Sequence, residues 1–205
     1  MQNIWDERYA NQEFVYGKEP NIFFKLQLDR LPIGSILMPA DGEGRNGVYA
    51  AVNGWTVTSC DLSQEGRKKA LQLAAERGVT LEYLVGNFEE LSFPESAFDA
   101  AGLIFAHVQP DQKSLLFQMV DRSLKPGGYV IFEAYSKQHV KHQQLNPTAG
   151  GPKNEEHLYS AKELLQSFGH YDIQLLEETE VQQKEGIYHT GTGAVVRLVG
   201  RKPLL

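Results

Sequence analysis

The chain has 205 residues, 41% of them hydrophobic and 22% charged, the balance of an ordinary globular protein with enough length to bury a core. A net charge of −6 weighs against a nucleic-acid partner, which demands a basic face. A single cysteine, Cys60, excludes an intramolecular disulfide framework and reads as a small core residue. No apolar stretch approaches the roughly 18 residues of a membrane span. The N-terminus, Met1 to Arg8, is charged and lacks the apolar run of a signal peptide, so a cytoplasmic protein is expected.

In chain order, residues 3–12 read as a short helix. A Tyr16-Gly17-Lys18-Glu19-Pro20 turn separates it from a helix over about 20–30. Pro32 and Gly34 break the chain before an apolar strand at 35–40. Alternation follows: helix 45–53, strand 55–60, helix 63–77, strand 80–85. The last of these helices has Ser63 as its cap, Ala70, Leu71, Ala74 and Ala75 as an apolar stripe, and Gly78 at its end. Phe98 to Phe105 is a short apolar strand, and a helix at 112–124 ends at Lys125-Pro126-Gly127-Gly128. Tyr129-Val130-Ile131-Phe132 is a continuous apolar strand of the kind a parallel sheet covers on both faces. Residues 137–157 form a long polar excursion punctuated by Pro147, Gly150, Gly151 and Pro152, and a loop of that length is usually functional. A helix at 160–168 precedes two β-rich runs, 171–182 and 187–200. The short Lys184-Glu185-Gly186 connection makes them antiparallel. The expected fold is a doubly wound α/β sheet of seven mostly parallel strands ending in an antiparallel hairpin. It forms one domain over 1–205: a helical cover (1–32), a core (33–136), a lid-like excursion (137–157) and a C-terminal helix and hairpin (158–205).

The first strand feeds into Asp41-Gly42-Glu43-Gly44, and the second ends on Asp61. Strand, glycine turn, helix, strand and acid make the first half of a nucleotide-binding sheet. Gly42-x-Gly44-x-x-Gly47 matches the dinucleotide spacing to the letter, which keeps an NAD-dependent oxidoreductase among the alternatives. Asp41 and Glu43 argue against it. At roughly 6 Å and an effective dielectric near 20, each carboxylate–phosphate pair costs about 3 kcal/mol. S-adenosylmethionine carries no phosphate, brings a sulfonium and an ammonium, and offers Asp61 two ribose hydroxyls.

On these motifs and their order the sequence resembles the class I S-adenosylmethionine-dependent methyltransferases over nearly its whole length. It is similar, more narrowly, to the tellurite-resistance methyltransferases and their thiopurine-methyltransferase-like relatives. That likeness rests on Trp5-Asp6-Glu7-Arg8-Tyr9, Tyr16-Gly17-x-Glu19-Pro20-Asn21, Gly42-Glu43-Gly44-Arg45-Asn46, Gly150-Gly151-Pro152-Lys153 and Glu185-Gly186-x-x-His189-x-Gly191. The resemblance implies that Asp41, Gly42, Glu43, Gly44 and Asn46 border the methionine part of the cofactor, with Gly42 and Gly44 letting the backbone come close. Asp61 and Leu62 would hold the ribose, Asn87 and Phe88 the adenine, and Phe105 the space beside the transferring methyl. The resemblance also implies an acid and a glycine where this chain has Met38 and Ala40. That departure leaves a non-catalytic S-adenosylmethionine-binding module as a second alternative.

His107, at the end of the fourth strand, is the best-placed candidate base, expected to orient the acceptor more than to deprotonate it. His139 and His142 stand one helical turn apart, but the cysteine-poor, polar region around them does not read as a zinc site, and no metal is expected. The expected acceptor is a small molecule, a thiol or a chalcogen oxyanion. The protein is expected to be a monomer or weak homodimer, away from nucleic acid and membrane.

Overall fold

A computed structural model describes residues 2–146 and 149–204. In chain order the elements are α1 (Gln2–Tyr9), α2 (Ile22–Leu28), β1 (Ser35–Pro39), α3 (Arg45–Val52), β2 (Thr56–Asp61), α4 (Gln64–Glu76), β3 (Glu82–Val85) and β4 (Phe98–Ile104). After them come α5 (Lys113–Ser123), β5 (Leu124–Tyr135), α6 (His139–Leu145), α7 (Ala161–Phe168), β6 (Asp172–Glu185) and β7 (His189–Arg201). The strands form one sheet in the order β3-β2-β1-β4-β5-β7-β6. β7 runs antiparallel to β5 and β6, and the remaining neighbours are parallel. This is the Rossmann-like sheet with a C-terminal hairpin that the sequence predicts.

The period-two pleat sorts the central strands onto two faces. Leu37, Leu103 and Phe132 pack with Leu116 and Phe168 on one side, while Ile36, Met38 and Ile131 pack with Phe24 and Ala50 on the other. Met38, where the resemblance implies an acid, is a core residue. A Cβ on Gly102 would stand 2.7 Å from its sulfur, so the missing side chain on β4 makes room for the thioether. Ala40 adopts φ +55, the left-handed conformation that suits the glycine implied there.

Two elements depart from the sequence expectation. β5 begins at Leu124 rather than Tyr129, because Leu124 pairs with Phe98 and the Pro-Gly-Gly stretch is absorbed as a register break. The excursion 137–157 contains α6 and is pinned to the body. His139, 1% exposed, stacks on Tyr135 at 3.9 Å, and Gln143 Nε2 donates to the carbonyl of Gly150 at 2.8 Å. A Cβ on Gly151 would stand 2.6 Å from the Tyr135 ring, so glycine lets this segment lie flat on it. Pro147, counted among its punctuation, lies outside the described residues.

The C-terminal ends of the parallel strands open on one edge, and three pieces of chain close over it. α1 packs on α4, with Asp6 Oδ1 accepting from Ser63 Oγ at 2.6 Å and from the Glu65 N–H at 3.2 Å. The excursion covers the end of β5. The three-residue turn joining β6 to β7 reaches back to the cover, where the Ile187 N–H donates to the Val15 carbonyl at 2.8 Å.

Candidate active site

A cavity of about 820 Å³ opens at that edge. Its floor is the 40–46 turn with Asp61, Leu62 and Phe88. Its far wall is Phe105, His107, Tyr135 and His189, and its roof is Trp5, Tyr9, Tyr16, Gly150 to Lys153 and Tyr188.

Three carboxylates, Asp41, Glu43 and Asp61, are buried in the floor. Asp61 Oδ2 accepts from the Gly42 N–H at 3.0 Å and Oδ1 from the Ser63 N–H at 2.9 Å. The cap of α4 is Ser63, whose Oγ accepts from Gly66 N–H at 2.9 Å, so Asp61 is left facing the cavity. Asp41 accepts from Ser59 Oγ at 2.7 Å and from the Gly47 N–H at 3.3 Å, turned toward the start of α3. Burial raises both groups, Asp61 to about 6 and Asp41 to about 7, against the opposing pull of their hydrogen bonds. A buried acidic pair beside an open cavity suits a cationic ligand without phosphate, and Asp61 retains lone pairs for two ribose hydroxyls.

The pH consequences have opposite signs. An acid whose folded pKa is raised above its unfolded 3.8 costs stability when ionised, so the free protein should gain stability as pH falls from about 7 toward 4. If Asp61 holds the ribose as the resemblance implies, the affinity for S-adenosylmethionine should fall up to tenfold per pH unit below about pH 6. Calorimetric titration between pH 5 and 8, with urea denaturation at the same pH values, reads both. An affinity independent of pH would remove Asp61 from the site.

Glu43 lines the cavity and also ties down the turn. Its Oε1 pairs with Lys69 Nζ at 2.8 Å, and its Oε2 accepts from the Val15 N–H at 2.8 Å and the Tyr16 N–H at 3.3 Å. The glycine turn is thereby tied to the cover, and the Glu43 charge is answered by Lys69 rather than left for a ligand. What remains of the case against a pyrophosphate is Asp41. Lys69→Met should destabilise the protein by about 3–5 kcal/mol, because Glu43 would remain buried without its cation. Adding Glu43→Gln should recover much of that loss in urea denaturation. No recovery would mean that Lys69 acts through packing alone.

Gly44 and Asn87 are not in the cavity wall. At φ +81, Gly44 turns its bare α-carbon toward α4, where a Cβ would stand 2.5 Å from that of Ala70. Gly42 does line the cavity, and a Cβ there would meet the Tyr9 hydroxyl at 2.6 Å. Asn87 Oδ1 accepts from Gln112 Nε2 at 3.1 Å, and Gln112 lines the cavity in its place. Asn46 lines the cavity and its Oδ1 accepts from the Asn21 N–H at 2.9 Å, fixing the start of α2. Phe88, 8% exposed, is both cavity wall and core.

His107 is not placed to act as a base. Its Nδ1 lies 3.0 Å from the carbonyl of His157 and its Nε2 accepts from the Tyr135 N–H at 3.3 Å, which fixes the Nδ1–H tautomer and occupies the lone pair. Burial pushes its pKa down to about 3. Phe105, at the strained φ of +52, swings its ring to within 4.3 Å of a second imidazole, His189. His189 and its cross-strand partner Glu185 were readable only as a hairpin motif, because their approach depends on a loop of three residues, Gly186 to Tyr188.

Residues 37–132 match the family model of a methyltransferase domain. An uncharacterised protein of Mycobacterium tuberculosis is 35% identical over 99 residues, covering 46% of this chain and 35% of that one. The chain thus spans about a third of the length of the first curated relatives it matches. Among solved structures, a protein described in the conversion of a disulfide bond into a thioacetal group during echinomycin biosynthesis superposes with a TM-score of 0.77 at 19% identity, covering 100% of this chain and 93% of that one. TehB from Haemophilus influenzae gives 0.70 at 12% identity, covering 98% and 66%. At such identities these two speak for the fold. Residues 37–132, which hold the glycine turn and the acidic floor, are thus similar to a methyltransferase domain.

Proposed function

We propose that the chain transfers the methyl group of S-adenosylmethionine to a small acceptor, a thiol or another soft nucleophile such as a chalcogen oxyanion. The observation that carries this is the roofed cavity, which runs from the Asp41–Asp61 floor to a wall of aromatic and imidazole rings. About 820 Å³ suits a cofactor with a small partner, and residues of the cover, the excursion and the hairpin turn all line it. Of the cations that line the cavity, Arg45 is paired with Glu185 at 2.7 Å, and Arg8 and Lys153 line it as well. Bound S-adenosylmethionine supplies an activated methyl group. Around it the protein orients the acceptor and excludes water, from which most of the rate gain comes. The narrower likeness to the tellurite-resistance and thiopurine-methyltransferase branch is supported by the quoted motifs. On this reading the protein acts in the cytoplasm as a monomer or weak homodimer.

The test is calorimetric titration with S-adenosylmethionine, S-adenosylhomocysteine and NADH, followed by transfer of labelled methyl to benzyl mercaptan, 4-nitrothiophenol and tellurite. Binding of the first two ligands with methylation of a thiol is expected. Tight NADH binding, or labelling of protein or RNA in preference to every small acceptor, would overturn the reading.

A further inference from the structure

We infer that His189, held by Glu185, is the base that takes the proton from the acceptor, a role that rests on the methyl-transfer function proposed above. The two residues face each other across the β6–β7 ladder, with His189 Nδ1 3.2 Å from Glu185 Oε2. Glu185 is fixed from two further directions. Arg45 donates to its Oε2 at 2.7 Å, and Asn21 Nδ2 donates to Oε1 at 3.3 Å. Arg45 in turn donates to the Tyr16 carbonyl at 3.3 Å, so the dyad is braced against the cover. A carboxylate in this position accepts the Nδ1 proton and leaves the lone pair on Nε2.

Nε2 of His189 has no hydrogen-bond partner among the described residues, and the side chain lines the cavity while only 5% exposed. This is what separates it from His107, whose two nitrogens are both engaged. The ring stands 4.3 Å from Phe105, 4.6 Å from Tyr16 and 5.6 Å from Tyr135, inside the aromatic wall where the acceptor is placed.

The charged and titratable groups around it are Glu185 on β6, Arg45 on α3, Arg8 on α1, Tyr16 in the cover and Tyr135 on β5. His107 and His139 act on it through charge alone. Burial lowers the His189 pKa, and Arg45 and Arg8 push the same way against Glu185, so the ring is neutral near pH 7. Burial works against the Glu185 charge, yet His189 and Arg45 hold that carboxyl down to about 2, so it stays ionised to meet an imidazolium.

In the step itself the acceptor S–H proton passes to Nε2. The sulfur pair it leaves forms the bond to the methyl carbon as the bond to the sulfonium breaks, with that pair staying on the departing thioether. The imidazolium, balanced by Glu185, then returns its proton to water.

The test compares wild type, His189→Gln and Glu185→Gln with S-adenosylmethionine and two acceptors. Benzyl mercaptan is protonated at neutral pH and needs a base; 4-nitrothiophenol is already a thiolate and does not. His189→Gln should lower kcat/KM for benzyl mercaptan by about 10²-fold and for 4-nitrothiophenol by no more than about threefold, with S-adenosylhomocysteine affinity within threefold of wild type. Glu185→Gln should lower the benzyl mercaptan rate by about tenfold and move the acid limb of its pH profile to lower pH. Equal losses on both thiols, or no loss on either, would overturn the proposal.

A wild-type protein that binds S-adenosylhomocysteine but methylates neither thiol would instead sink the thiol reading. The dyad is then judged without an acceptor, as it also is where a variant fails to fold. Long-range ¹H–¹⁵N spectra of wild-type histidines should show His189 protonated at Nδ1 with a bare Nε2, and a proton on Nε2 would dispose of it.

Discussion

Asp61→Ala is expected to weaken S-adenosylmethionine binding by roughly 10²–10⁴-fold in calorimetry. Each hydrogen bond to a charged group contributes roughly 1.5–3 kcal/mol, and two ribose hydroxyls are at stake. Asp61 is 8% exposed at the end of β2, and its two backbone donors, Gly42 and Ser63, aim the carboxylate at the cavity. S-adenosylhomocysteine shares the ribose and should weaken by a similar factor. Asp61→Asn keeps one acceptor oxygen and should fall between wild type and alanine. A loss confined to S-adenosylmethionine would mean that Asp61 answers the sulfonium charge rather than the ribose. Unchanged affinity for both ligands would place the cofactor elsewhere.

The second large effect is on folding. Gly44→Val should cost roughly 2–5 kcal/mol in urea denaturation, from left-handed strain of roughly 1–2 kcal/mol and overpacking of roughly 1–3 kcal/mol. The glycine sits at φ +81, and an added Cβ would stand 2.5 Å from the Ala70 Cβ and 2.9 Å from its α-carbon, which belongs to the helix backbone and cannot swing aside. The sequence suggests instead that this variant folds and loses only cofactor binding. Gly44→Ala and Ala70→Gly, alone and together, should show a coupling of at least about 1 kcal/mol, because the second change removes half of the clash. A Gly44→Val protein with a wild-type urea midpoint and no cofactor affinity would restore the first expectation.

The core of this protein is legible in its sequence because each signal there is local. The apolar runs at 36–38, 100–104 and 129–132 are continuous where both faces of a strand are covered. Ser63 and Gly78 bracket α4, and Asp61 closes a strand at the edge where ligands bind. Side-chain period and caps depend on neighbours within one or two turns of chain, so they survive without tertiary information. What only the tertiary structure decided are contacts between residues far apart in sequence. α6 has a polar sequence and is held by the Tyr135–His139 stack and the Gly150 carbonyl, neither of which any local pattern announces. Glu43 looks like a free charge until Lys69, 26 residues on, is brought to 2.8 Å. His107 looks like a base until the carbonyl of His157, 50 residues on, and the Tyr135 N–H take both its nitrogens. His189 gains its standing from Arg45, 140 residues away from Glu185, which anchors the carboxylate beside it. A residue type sets what a side chain can do. Burial and partners, which are properties of the folded chain, set which protons it holds and whether a lone pair is left to use.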